Sequence, residues 1–185
     1  MGNFYVNICA RGVNPSQLEA WLSQSGFKAY IGPLVDNWVC LVSEPLDTQD
    51  ENIISRFASA ISQGSNIDAI SFLNHDDDVL MVELFQTGQR KAAYDSYPNY
   101  FSEEELPEDS GPALDNAEAF AALKQGVTAE QVKQVLLNPE LSVFALETHF
   151  AISELLGLPE YAVGMGFSYV DNGESDADWI FVPGG

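Results

Sequence analysis

The densest set of side chains able to bind a cation or move a proton is His75-Asp76-Asp77-Asp78. A histidine beside three carboxylates could hold a divalent ion or supply an acid–base pair. The spacing fits no calcium loop, and aspartate is favoured in turns because its side chain bonds the local backbone. The run is therefore expected to be a solvated turn between two strands. Asp171-Asn172-Gly173-Glu174-Ser175-Asp176-Ala177-Asp178 has the composition of a calcium loop but not its order. An EF-hand takes oxygen ligands at its first, third and fifth positions and glycine at the sixth. Here glycine comes third, and Asp-Asn-Gly reads as a hairpin turn.

His149 has Ala145 and Ser153 four residues away on either side, and Glu147 points to another helix face, so no metal pair forms. It is expected to be a core or boundary histidine. Cys9 and Cys40 lie in apolar, strand-like runs and match no zinc spacing. They are expected to be buried, reduced thiols, a disulfide being open to them only if their strands are neighbours. The chain has no Gly-x-Ser-x-Gly elbow and no phosphate loop. No catalytic residue, metal site or cofactor is assigned.

The segment from Ala93 to Glu108 carries a different chemistry: Tyr94, Tyr97, Tyr100 and Phe101, then Glu103, Glu104, Glu105 and Glu108. Tyrosine offers a partner a large rigid area and one polar tip. Carboxylates beside such a patch speed the capture of a basic partner. These residues are taken as a candidate partner surface; the bland alternative folds the rings back onto the protein and leaves the acids in water.

Net charge points the same way. The chain has 28 Asp and Glu against 7 Lys and Arg, a formal charge of −21. From Gln134 to Gly185 there is no Lys or Arg, and a second acidic cluster, Glu103 to Glu118, follows directly on the aromatic run, while the N-terminal part is only mildly acidic. Such charge disfavours nucleic acid and anionic membranes and favours a cationic partner. Acidity with only four lysines also describes proteins of saline habitats, so charge alone does not decide.

At 46% hydrophobic the chain must bury a core rather than form an acidic tail. Strands are expected at Phe4–Ala10, Phe27–Ile31, Trp38–Ser43, Ile67–Leu73 and Val79–Phe85, the last returning through Arg90–Tyr94 as a hairpin. Asn14-Pro15 starts a helix that Gly26 ends. Thr48-Gln49-Asp50-Glu51 reads as a capping box for a helix whose stripe is Ile53, Ile54, Phe57, Ala58 and Ile61. The order β-α-β-β-α-β is that of a ferredoxin-like unit, a fold with many functions. After it, Asp115 with Glu118, Thr128 with Gln131, and Asn138-Pro139 start three helices, and Gly166–Val170 with Trp179–Val182 are expected to close the chain as a hairpin.

The expectation is an α+β protein: a ferredoxin-like domain with an added hairpin over 1–97, an acidic linker over 98–114, and a helical part with a terminal β-hairpin over 115–185. The N-terminus reads as neither a signal peptide nor a myristoylation site, so a cytoplasmic protein is the default. The preferred function is a non-enzymatic module that binds a basic protein partner. A bacterial immunity-type protein that neutralises a cationic toxin is one concrete form. The alternatives are an enzyme using the carboxylates near His75 and Asp171, with a metal or a small ligand, and a structural or regulatory homodimer.

Overall fold

The computed structural model describes residues 2–64, 66–98, 100–101, 111–138 and 144–184. At its centre lies β1 (Phe4–Arg11), between β3 (Trp38–Ser43) and β4 (Asp68–His75). Beyond β4 come β5 (Val79–Gln86), β6 (Gln89–Asp95) and β7 (Ala113–Asp115); beyond β3 come β2 (Ala29–Ile31) and β8 (Ile180–Val182). The result is a mixed α+β structure with an eight-stranded sheet, order β7-β6-β5-β4-β1-β3-β2-β8, antiparallel at every pairing.

Alternation along the strands feeds two cores. Val6, Ile8 and Ala10 pack with Leu18 and Leu22 of α1 (Pro15–Ser25) and Ile54, Phe57 and Ala58 of α2 (Glu51–Ile61). Phe72, Leu80, Val82 and Leu84 pack on the opposite face with Phe120 of α3 (Ala117–Ala121), Val132 and Leu136 of α4 (Ala129–Leu136), and Ile152 and Leu156 of α5 (Ala145–Leu156). A sheet covered on both faces buries successive residues, and Tyr5 through Ala10 are all buried. The β5–β6 hairpin turns through Thr87 (φ 52°) and Gly88 (φ 74°), the paired positive φ values that suit the twist of a two-residue hairpin.

Several boundaries differ from the sequence expectations. Thr48 does not cap α2; it ends a 3₁₀ turn (Glu44–Thr48), and Asp50 accepts from the amides of Asn52 and Ile53. Asn116, not Asp115, caps α3, because Asp115 belongs to β7, which pairs with β6 inside the stretch expected to be linker. Residues 99 and 102–110 of that stretch lie outside the described residues. The Thr128–Gln131 capping box is present as expected. The closing hairpin is absent. Phe167–Asp171 is helix α6, whose first amides, Phe167 and Ser168, are bound by the Asp47 carboxylate, and β8 pairs with β2 instead. The competing force is apolar: Phe167 and Val170 pack on Val42 with Tyr30 and Trp179 alongside.

Cys9 and Cys40 face each other across β1 and β3 and form a disulfide, 31 residues apart in sequence, in place of the expected thiols. His149 is in the core, as expected, hydrogen-bonded to Tyr5 and stacked 3.9 Å from the ring of Phe72.

Candidate functional site

The turn between β4 and β5 uses its own acids. Asp76 and Asp77 take positive φ, and Asp78 N–H bonds His75 O at 3.0 Å. Asp76 accepts from Gly2 N–H (3.0 Å), and Asp77 from the side chains of Asn3 (2.9 Å) and Asn74 (3.0 Å). Among the described residues no group of three or more His, Cys, Asp or Glu is arranged to hold a metal ion. Asp171, in the other acidic run, accepts from the Tyr30 hydroxyl at 2.8 Å.

What the turn delivers is His75, at the end of β4. Its Nδ1 lies 2.6 Å from Gln49 Oε1, and its ring is met edge-on by Phe4 at 4.9 Å and Phe101 at 4.9 Å, with Tyr100 at 5.6 Å. Tyr97 packs on Tyr100, and Tyr100 on Phe101, at centroid distances of 5.6 and 5.2 Å and nearly perpendicular planes. Edge-to-face contacts of this kind are the favoured geometry for aromatic pairs. The chain reaches this place because β6 ends in a fixed bend. Ser96 N–H bonds Leu80 O, Ser96 Oγ accepts from Leu80 N–H, and the Asp95 carboxylate accepts from Tyr97 N–H.

The candidate surface divides accordingly. Tyr97, Tyr100 and Phe101 are together and exposed (55%, 39% and 50%), whereas Tyr94 is 2% exposed and packs in the core beneath α3–α5. Burial, and after it the charge of Asp95, holds the Tyr94 hydroxyl above its ordinary pKa. It is therefore no part of a partner surface. Glu103, Glu104, Glu105 and Glu108 lie outside the described residues.

In place of those glutamates, the structure sets two other acids beside the rings. A cleft of about 290 Å³ is lined by Glu51, Val79, Met81, Asp95, Tyr97, Tyr100 and Phe101. Glu51 is the first residue of α2, and Asp95 pairs with Met81 across β5 and β6. Burial, then the charges of Asp95, Glu83 and Asp50, raises the Glu51 carboxyl above the usual carboxylate range. Asp95 is raised by burial too, against the opposing hydrogen bond from Tyr97. Among the described residues no Lys or Arg pairs with either acid: Arg90 is on Glu83 (2.9 Å) and Arg11 on Asp68. Neither Glu51 nor Asp95 was visible as a site residue in the sequence. Glu51 looked like part of a cap, and the only signal for Asp95 was its place just before the aromatic run.

A second hollow, of about 560 Å³, lies along α5 between Leu146, Phe150, Val163 and Met165, with Glu147 and Glu160 at its rim. No helix among the described residues is long and apolar enough to cross a membrane. Comparison with protein-family models, curated proteins and solved structures returns no match.

Proposed function

We propose that the protein is a non-enzymatic binding module that recognises a basic protein partner through the face carrying His75, Tyr97, Tyr100 and Phe101. The carrying observation is the placement of three exposed, mutually packed aromatic rings beside two carboxylates that no described cation neutralises. Rigid rings provide contact area at low entropic cost, and uncompensated acids steer a cationic surface toward them. Neutralisation of a cationic toxin, in the manner of bacterial immunity proteins, is one form this takes. The buried disulfide favours an oxidising compartment over the cytoplasm for the encounter.

The strand order β4-β1-β3-β2, with α1 and α2 packed on one face, supports reading residues 4–75 as a ferredoxin-like unit. That fold leaves the function to the site. Both sheet edges, β7 and β8, are only three residues long, which limits dimerisation by edge pairing.

Two raised carboxylates in one cleft also favour a second reading, an enzyme using Glu51 and Asp95 as an acid–base pair. Against it, the Glu51 side chain is only partly shielded from solvent, and the cleft is at the small end of ligand sites, which run from roughly 300 to 1,000 Å³.

The test is affinity capture followed by titration with the purified captured protein. A basic partner whose affinity falls about tenfold or more with Tyr97→Ala or Phe101→Ala, and falls with added salt, supports the module. Acidic or neutral partners bound without salt dependence overturn it.

A further inference from the structure

We infer that the cleft between α2 and the end of the β5–β6 hairpin is a receptor for one organic cation, the guanidinium or ammonium head of an arginine or lysine side chain supplied by the partner. This rests on the binding-module reading and names the chemistry of that same site.

Its size is the first argument. At about 290 Å³ the cleft admits a single side chain but no folded element. Its lining is the second. Met81, half-buried in the lining, supplies an apolar surface for a methylene stem, as long basic side chains prefer. Tyr97, Tyr100 and Phe101 stand nearly perpendicular to one another in sequence, so the wall offers ring faces in more than one direction to a cation.

Charge is the third. Glu51 and Asp95 line the same cleft, and Asp95 is the leading electrostatic cause of the rise at Glu51, after burial. Glu83, next along the α2 face, is already held by Arg90 and by Ser55 Oγ at 2.6 Å. The neighbouring acid therefore has a cation, whereas among the described residues the two in the cleft have none, Asp95 accepting only from Tyr97 N–H. A cation between them would remove their repulsion and replace lost hydration at once. A flat acidic face would lack the rings and the stem-binding floor, so the combination selects a cationic side chain over a bare metal ion.

The experiment uses the intact chain and three capped amino acids: N-acetyl-arginine methylamide, N-acetyl-lysine methylamide and, as the neutral isostere of arginine, N-acetyl-citrulline methylamide. Titration is followed by NMR on the Met81 methyl and the Tyr97 and Phe101 ring signals. Saturable millimolar binding of at least one cation, absent for citrulline and weakened at least tenfold in Glu51→Gln/Asp95→Asn, supports the receptor. Near-UV circular dichroism confirms that the double variant keeps its packing, and Tyr97→Ala provides a second variant with its carboxylates intact. No saturable binding, equal binding of citrulline, or no change in the double variant overturns it. If the cations fail while a purified basic partner still depends on Tyr97 and Phe101, the receptor is wrong and the module stands. If the cations bind while every captured partner is acidic or neutral, the module is wrong, and the cleft takes a free small cation.

Discussion

The hydroxyl of Tyr5 and Nδ1 of His149 lie 2.7 Å apart, 144 residues distant in sequence, inside the protein. The pair ties β1, at the centre of the sheet, to α5. Burial depresses the His149 pKa to about 3, and burial is also what raises Tyr5. The folded state therefore holds His149 neutral where the unfolded chain, with a histidine pKa near 6.5, is already taking up a proton. The His149 contribution to stability is full above pH 6.5 and is lost as the pH drops from there toward 3. Urea midpoints at pH 7 and 5.5 should give a loss of about 1 kcal/mol, much reduced in His149→Phe. An unchanged midpoint in the wild type would show that His149 is not held neutral.

The Cys9–Cys40 disulfide is inside the protein, with the two residues 1% and 0% exposed. Dithiothreitol should therefore leave it intact in native buffer and cleave it once urea unfolds the chain. Closing a loop of this length stabilises by about 3–4 kcal/mol in the chain-entropy account. Cys9→Ala/Cys40→Ala should lose most of that in denaturant melts, and a double variant as stable as the wild type would count against the bond.

Asp50 holds the first turn of α2, its Oδ1 accepting from Asn52 N–H at 2.8 Å and Ile53 N–H at 3.3 Å. Asp50→Ala should cost about 1 kcal/mol and Thr48→Ala much less. The reverse ranking in chemical denaturation would restore the cap that the sequence pattern suggested.

If the acidity serves recognition, the protein melts cooperatively at 0.15 M salt, where the Debye length is about 8 Å. Folding only above molar salt would instead assign the charge of −21 to habitat.

The strongly periodic elements were legible in the sequence. The α2 stripe of Ile54, Phe57, Ala58 and Ile61, the strand Trp38–Ser43 and the hairpin of Val79–Phe85 with Arg90–Tyr94 all appear where local pattern and chemistry agree. The failures share a cause. The tail carries Asp-Asn-Gly, a strong hairpin signal, yet Phe167 and Val170 find a core against Val42, and β8 finds the open edge of β2. Thr48 has capping chemistry, but Asp50 sits nearer the amides that need an acceptor. Cys9 and Cys40 became a pair only through the β1–β3 register. Tyr94 belongs to the aromatic run by sequence, but the strand pleat turns it inward, while Tyr97 leaves the strand after the Asp95–Tyr97 bend and stays outside. The cleft was invisible for the same reason. Glu51, Met81 and Asp95 meet only through the packing of α2 on the β5–β6 hairpin.

The central claim is that a basic partner docks on the face built by Glu51, Asp95 and the Tyr97–Phe101 rings. Hydrogen–deuterium exchange of the protein with and without its purified partner locates that contact most directly. The account predicts new protection in the first turn of α2, at Val79–Met81 and from Asp95 to Phe101, lost in Tyr97→Ala. Protection confined to the α5 hollow around Phe150 and Glu160, with residues 95–101 unchanged, would contradict it.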